Sequence, residues 1–163
     1  MKINKITPLL IAVFAACFIT LTSASKTDRY NSGDLKSQLI GEWRNVYVKV
    51  IIHNKTKPAI TMEADSSNWE AMLKIKPIRT HFMEDGTYYS DYRNLKDSTV
   101  RRPAGNWRLK GDSLIMSQVT PDKSVLTVQV KINNDHATFH GLIDFDGEGV
   151  SNDEYFGVQK KFK

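Results

Sequence analysis

The fold is indicated first by residues 39–52, Leu-Ile-Gly-Glu-Trp-Arg-Asn-Val-Tyr-Val-Lys-Val-Ile-Ile. Val46, Val48, Val50 and Ile52 occupy every second position in its latter half. β-Branched residues that recur with a period of two are typical of a strand with one buried face. We therefore predict that this segment forms the first strand of a β protein, with these four side chains on one face.

Short strand-like runs separated by turn residues continue to the end of the chain. Glu84-Asp85-Gly86 lies between two of them, and Asp-Gly in that position is a strong signal for a β-hairpin. Pro103-Ala104-Gly105 predicts a break or a bulge in another strand. The strands predicted after the first are 59–64, 78–83, 87–93, 100–110, 113–119, 124–132, 136–144 and 154–162.

Helical signals are few. Ser67-Asn68-Trp69-Glu70 has the spacing of a capping box, in which Ser or Thr is followed three residues later by Glu or Gln. This pattern predicts a short helix that continues to about Leu73. A helical turn over 35–39, begun by Asp34, is predicted just before the first strand.

The number and spacing of the strands indicate the fold class. Many short strands with turns at steady intervals are typical of a barrel or a sandwich. Tight turns between successive strands favour an up-and-down meander, and closure removes the exposed edges of such a sheet. We predict an all-β, eight- to nine-stranded antiparallel up-and-down barrel with one short helix. The chain has 163 residues, of which 40% are hydrophobic, enough for one domain with a core.

The N-terminal residues have the order of a secretory signal peptide. Lys2 and Lys5 precede an apolar run, 8–21, which is followed by the small residues Thr22-Ser23-Ala24. The run is short for a membrane span, although a permanent N-terminal anchor is an alternative. We expect an exported protein, periplasmic or secreted, with no transmembrane span in the mature chain. The predicted divisions are a signal peptide at 1–24, a polar linker and short helical turn at 25–38, and the barrel domain at 39–163.

A second reading of the N-terminus centres on Cys17. Phe14-Ala15-Ala16-Cys17 resembles a bacterial lipobox, in which the cysteine is acylated and becomes the new N-terminus. The alternative is therefore a lipoprotein anchored through Cys17. Cys17 is the only cysteine of the chain, so cleavage after Ala24 would leave no disulfide, thiolate metal site or cysteine nucleophile.

The charge distribution argues against a nucleic-acid partner. The formal net charge of the whole chain is +5, and two of the lysines belong to the predicted signal peptide. The remaining basic residues are scattered, and the longest runs are pairs such as Arg101-Arg102 and Lys160-Lys161. Nucleic-acid binding requires a concentrated basic stripe. We therefore expect no nucleic-acid partner.

Several motifs are similar to those of secreted bacterial lipocalin-like proteins of the calycin type. Gly41-x-Trp43 after a short helical turn resembles the first lipocalin motif, and the runs 82–88 and 105–114 resemble the hairpins that follow it. Lipocalins place a late arginine over the motif tryptophan, whereas here Lys160 or Lys161 would have to take that position. The middle Thr-Asp-Tyr motif has no clear counterpart, which favours a lipocalin-like barrel over a classical lipocalin. The resemblance implies a closed eight-stranded barrel that carries a small apolar ligand.

Aromatic residues are the first candidates for ligand contacts. The motif residues Gly41 and Trp43 are expected to be structural, with Trp43 at the closed end of the barrel. Trp69, on the predicted helix over an opening, is the better contact candidate, and aromatic side chains supply large contact areas. The predicted ligand-binding residues are Tyr47, Trp69, Phe82, Tyr88 and Trp107.

The acidic run 144–149, Asp-Phe-Asp-Gly-Glu-Gly, resembles the first half of a calcium-binding loop. Oxygen ligands at its first, third and fifth positions and glycine at the sixth follow that pattern, although the glutamate expected at the twelfth is absent. The alternative is an acidic, glycine-rich turn that needs no ion. The predicted metal ligands are Asp144, Asp146, Glu148, Asn152 and Glu154, and calcium is the predicted ion.

Function is predicted in three ranked hypotheses. The first is an exported lipocalin-like protein that binds a small apolar molecule, and the second is a filled barrel that acts through its outer surface as a structural, interaction or inhibitor-type envelope domain. The third is a hydrolase or isomerase that uses the barrel mouth. The chain contains no known nucleophile, zinc, phosphate or dinucleotide motif. We therefore expect no catalysis, and we expect a monomer.

Overall fold

The structure, a computed structural model, describes residues 32–162. The signal peptide, the Cys17 lipobox and most of the polar linker lie outside these residues. The described elements are α1 (Ser32–Leu39), β1 (Gly41–Ile52), β2 (Ile60–Asp65), α2 (Trp69–Leu73), β3 (Arg79–Phe82), β4 (Thr87–Arg93), β5 (Thr99–Arg101), β6 (Ala104–Lys110), β7 (Ser113–Thr120), β8 (Ser124–Asn133), β9 (His136–Ile143) and β10 (Asp153–Phe162).

Eight of the strands close into an antiparallel barrel. Their order is β1-β3-β4-β6-β7-β8-β9-β10, and β10 pairs with β1 to complete the ring. Strand β2 extends the sheet beside the second half of β1, and β5 pairs with the end of β4. The predicted all-β up-and-down barrel is therefore confirmed, with two additional strands and two short helices. Neither helix of the described chain has the length and apolar character needed to cross a membrane.

A β-bulge in β1 sets which of its side chains face the interior. Its pairing with β10 shifts by one residue between Asn45 and Tyr47. Because the bulge adds one residue to the strand, Asn45 is buried on the same side as Val48 and Val50. The uniform alternation predicted from Val46 onward is therefore wrong at Val46, which lies in the bulge and is only half-buried.

One end of the barrel is filled by apolar side chains. Helix α1 packs against β6 and β8, and its Leu35 and Leu39 are both fully buried. Trp43 and Leu114 are also fully buried in the same cluster. Complete burial of a leucine side chain stabilises a fold by about 1.5–3 kcal/mol. This helix therefore acts as an apolar plug, and we call this region the closed end.

A second, smaller cluster forms where β1 extends past β3. Val48 and Val50 of β1 pack there with Ala64 of β2 and Trp69 of α2. Tyr155 of β10 lies between the two clusters and packs against both. The interior of the barrel therefore holds two apolar clusters, and we call the part around Asn45, Thr80, Ser90 and Gln159 the middle section.

Two local predictions have opposite outcomes. The break predicted in the strand 100–110 is confirmed, since Pro103 separates β5 from β6. The capping box at Ser67 is wrong, since Asn68 precedes α2 and makes no side-chain capping bond. The Asn68 Oδ1 atom instead accepts a hydrogen bond from the backbone N–H of Asp65 at 2.8 Å. The Asn68 side chain therefore stabilises the turn before α2 and does not cap the helix.

Candidate ligand cavity

An internal cavity of about 250 Å³ lies in the middle section of the barrel. Its volume is just below the range of about 300–1,000 Å³ typical of pockets for drug-sized ligands. Among its lining residues, Ser124 is exposed, which places the mouth near the turn between β7 and β8. The lining residues are Asn45, Ile78, Thr80, Phe82, Tyr88, Ser90, Tyr92, Pro103, Met116, Gln118, Ser124, Leu126, Val128, Phe139, Tyr155 and Gln159.

The alternation of each strand brings these side chains inward. Thr80 and Phe82 are the buried residues of β3, and Tyr88 and Ser90 are those of β4. Residues that pair across antiparallel strands lie on the same face of a sheet. Thr80 pairs with Ser90, and Phe82 pairs with Tyr88. Polar side chains therefore meet polar ones across the strands, and aromatic side chains meet aromatic ones.

Two polar pairs lie on neighbouring walls of the cavity. The hydroxyl oxygens of Thr80 and Ser90 lie 2.9 Å apart and share a hydrogen bond. The Gln159 amide nitrogen donates to Asn45 Oδ1 at 3.3 Å. Gln159 Oε1 has no hydrogen-bond partner among the described residues, although this side chain is more than nine-tenths buried. An unpaired acceptor in such a place costs free energy unless another molecule donates to it.

Three tyrosines add hydroxyl groups to the lining. Burial, and to a smaller extent the nearby Tyr92, raises the pKa of Tyr155 to about 12. Burial and Tyr92 likewise raise the pKa of Tyr88, and burial raises the pKa of Tyr92 itself although Arg101 opposes this. The three hydroxyls therefore stay protonated and neutral near neutral pH.

The cavity wall carries no formal charge. Among the described residues that line it, none is aspartate, glutamate, lysine, arginine or histidine. The wall combines aromatic rings and aliphatic side chains with neutral amide and hydroxyl groups. Such a surface suits an uncharged molecule, because a buried ion without a counter-charge is strongly unfavourable.

The predicted ligand-binding residues are divided among several places. Phe82 and Tyr88 line the cavity. Trp107 lies in the core of the closed end, with its ring 5.4 Å from that of Phe82 and its Nε1 donating to the Met83 carbonyl at 3.1 Å. It supports the cavity wall through Phe82 rather than forming part of the lining.

Trp69 and Tyr47 lie away from the cavity. Trp69 is fully buried against β1 and β2 in the smaller apolar cluster, where it closes that side of the barrel. The Tyr47 side chain lies on the outer face, where its hydroxyl donates to Glu63 Oε1 at 2.8 Å and its ring contacts Phe156 edge-on. The structure therefore does not bring these two side chains together with Phe82 and Tyr88.

The structural motif Gly41-x-Trp43 has a clear physical role. The fully buried Trp43 donates from Nε1 to the Leu39 carbonyl at 2.7 Å, which ties β1 to the end of α1. Lys161 places its ammonium nitrogen 5.2 Å from the Trp43 ring centroid and donates to the Gln38 carbonyl at 2.5 Å. Of the two lysines expected over this tryptophan, Lys161 takes the position.

Gly41 makes room for that lysine. Its φ angle is +122°, and a Cβ atom there would lie 3.2 Å from Lys161 Cε. Only glycine adopts such a conformation without strain. The motif thus combines a backbone requirement with a buried aromatic side chain, and both act at the closed end.

The predicted calcium ligands make hydrogen bonds within their own loop. Asp144 Oδ2 accepts from the Gly149 N–H at 3.0 Å, and Asp146 Oδ1 accepts from the Glu148 N–H at 3.1 Å. Glu148 Oε1 accepts from the Asn152 side-chain amide at 2.9 Å. Within residues 32–162, no three His, Cys, Asp or Glu side chains are arranged to hold a metal ion. The calcium site stays a prediction.

The remaining predicted ligand, Glu154, points elsewhere. Its Oε1 lies 3.0 Å from Nε2 of His53, at the end of β1. The neighbouring Asp153 is fully buried and fastens the loop, since its carboxylate accepts from the N–H groups of His53 at 2.9 Å and Phe145 at 2.8 Å. Burial would raise the pKa of Asp153, but these backbone donors and that of Asp146 hold it below its usual range. The loop is thus organised by Asp153.

Sequence reasoning missed several lining residues. Ser90 and Gln159 stand at inward positions of their strands, and that placement is the signal that could have identified them, whereas the β1 bulge hides the inward position of Asn45. The same alternation could have assigned Tyr92 and Tyr155 to the inner face of the barrel. Comparison with protein-family models finds no match to this chain, and comparison with curated proteins finds no significant relative.

Proposed function

We propose that this chain is an exported, lipocalin-like protein that binds one small molecule inside its barrel and catalyses no reaction. The observation that carries the proposal is the cavity of about 250 Å³ in the middle section of the barrel. An eight-stranded barrel encloses a space that side chains either fill or leave open for one small ligand. Export is supported by the order of basic, apolar and small residues at the N-terminus.

The composition of the wall supports binding rather than simple underpacking. Protein interiors are close-packed, and cavities larger than a few water molecules are uncommon. This cavity is lined by aromatic rings and by polar pairs on adjacent strands. A mixed wall of this kind orients a ligand as well as burying it. The filled-barrel alternative is less well supported, because it requires side chains to occupy this volume.

Interaction through the outer surface is the second candidate function. Leu142 of β9 and Phe156 of β10 are 58% and 41% exposed, and they border a groove with Ile51 of β1. Exposed apolar groups that lie together are more informative than single ones. A protein partner would cover this face without using the cavity, so the two functions can be tested separately.

The cavity is tested by filling it near its mouth. Leu126 lines the cavity, whereas the neighbouring Val125 is 70% exposed on the same strand. An apolar fluorescent probe should bind saturably to the wild-type protein, and Leu126→Trp should abolish or strongly weaken that binding. Val125→Trp adds the same side chain outside the barrel and should leave the affinity unchanged. Saturable binding that is lost in neither variant would place the probe elsewhere and remove the main support for the proposal.

A further inference from the structure

Gln159 stands out among the polar groups of the cavity. It pairs with Asn45 across β10 and β1, and one end of its amide is bonded to Asn45. The other end, Oε1, lacks a partner in the described part of the chain. The hydroxyl groups of Thr80 and Ser90, by contrast, share a hydrogen bond with one another. Among the described residues that line the cavity, Gln159 Oε1 is therefore a buried acceptor that no protein group satisfies.

The inward position of Asn45, the partner of Gln159, is produced by the β1 bulge. Without the extra residue at Val46, Asn45 would face outward while Val48 and Val50 faced inward. The bulge places Asn45 beside Gln159 on the cavity wall. Bulges commonly redirect a side chain at a functional site. A buried amide pair is thus set among aromatic rings by a specific backbone irregularity.

The aromatic rings of the cavity wall indicate the shape of a ligand that would donate to Gln159 Oε1. Phe82, Tyr88, Tyr92, Phe139 and Tyr155 contribute aromatic rings to the lining. Aromatic rings favour edge-to-face and offset contacts with another ring. The small volume admits a molecule of one or two rings rather than a long acyl chain.

We infer that the ligand is a small neutral aromatic molecule that donates one N–H or O–H hydrogen bond to Gln159 Oε1. This inference rests on the proposed binding function and specifies its ligand class. The aromatic wall supplies most of the contact area, and Gln159 fixes the orientation. Charged molecules are disfavoured, since no charged side chain lines the cavity within the described residues.

Indole and indene test the hydrogen bond. The two have nearly the same shape, but only indole carries an N–H donor. Displacement of the fluorescent probe should show that indole binds about tenfold more tightly than indene, the ratio expected from one buried hydrogen bond. This comparison uses the wild-type protein and does not depend on any variant folding correctly.

Substitution of Gln159 then assigns the acceptor. Gln159→Met keeps the length of the side chain but removes its oxygen. Indole and indene should therefore bind to this variant with about equal affinity. Gln129 is exposed on β8, and Gln129→Met should retain the preference. If indole still binds more tightly than indene to Gln159→Met, its N–H donates to another residue and the inference is overturned.

Benzamide and benzoate test charge with a nearly constant shape. Benzamide should displace the probe at least tenfold better than benzoate, because the neutral wall does not compensate a buried carboxylate. Stronger binding of benzoate, or equal binding of indole and indene, would overturn the ligand class while leaving the binding function intact. Failure of the probe and of all four molecules to bind would reject both the ligand class and the proposed function.

Discussion

The closed end and the middle section of the same barrel differ in how their interiors are filled. At the closed end, Leu35, Leu39, Trp43 and Leu114 are fully buried and apolar. In the middle section, the buried polar side chains Asn45, Thr80, Ser90 and Gln159 occupy inward positions on four strands, and a cavity remains. Apolar side chains of complementary shape fill space, whereas the polar side chains here bond to one another along the wall and leave the volume between the walls open. The difference shows how one sheet can combine a rigid base with a binding volume.

The largest expected effect is on the closed end. Trp43→Ala should lower the free energy of unfolding by about 3–5 kcal/mol, the range for a large buried aromatic residue. Tyr92→Ala should cost less, because one side of the Tyr92 ring faces the cavity and makes fewer contacts. Urea denaturation of both variants measures the contrast. Equal losses would mean that the two regions are packed alike.

A smaller effect is expected from Gly157→Ala in the middle section. A Cβ atom at Gly157 would lie 2.3 Å from the Tyr155 hydroxyl oxygen, so the tyrosine must move. We expect a destabilisation of about 1–3 kcal/mol, typical of overpacking, together with weaker probe binding as the ring shifts. Thermal melts and probe titration measure the two consequences.

Gly111→Ala is the matched glycine control. Gly111 has open space around it, so the substitution meets no neighbouring atom, although its φ of +63° adds some strain. It should therefore alter stability without altering probe affinity. Unchanged probe binding in Gly157→Ala would indicate that Tyr155 does not shape the cavity.

The smallest effect is expected at the acidic loop, which lies outside both regions. Asp144, Asp146 and Glu148 each accept a hydrogen bond from within the loop. If the predicted calcium site forms there, millimolar calcium should raise the melting midpoint, chelator should reverse the rise, and Asp146→Asn should respond less. A midpoint that does not change with calcium would mean that these hydrogen bonds hold the turn without a cation.

The barrel could be predicted from sequence because its signals are local. The Asp85-Gly86 hairpin lies between β3 and β4, where Met83 N–H donates to the Thr87 carbonyl at 2.9 Å. The break between β5 and β6 could likewise be predicted from Pro103 alone. Turn residues and alternation need only a few neighbouring positions to be read.

The cavity could not be predicted in the same way. Whether a barrel is hollow depends on the summed volumes of side chains from all its strands. The bulge at Val46 also shifts the alternation by one residue, which hides the inward position of Asn45 from a period-two pattern. Gln159 was easier to locate, since it alternates regularly with Tyr155 and Gly157 along β10.

Native mass spectrometry of the protein isolated from its own host tests the central claim most directly. We predict that the wild-type protein carries a non-covalent neutral adduct of small mass, which is released on denaturation. Leu126→Trp, produced in the same host, should lack the adduct, whereas Val125→Trp should retain it. The same adduct on all three proteins, or no adduct together with no saturable probe binding, would contradict a ligand-binding barrel.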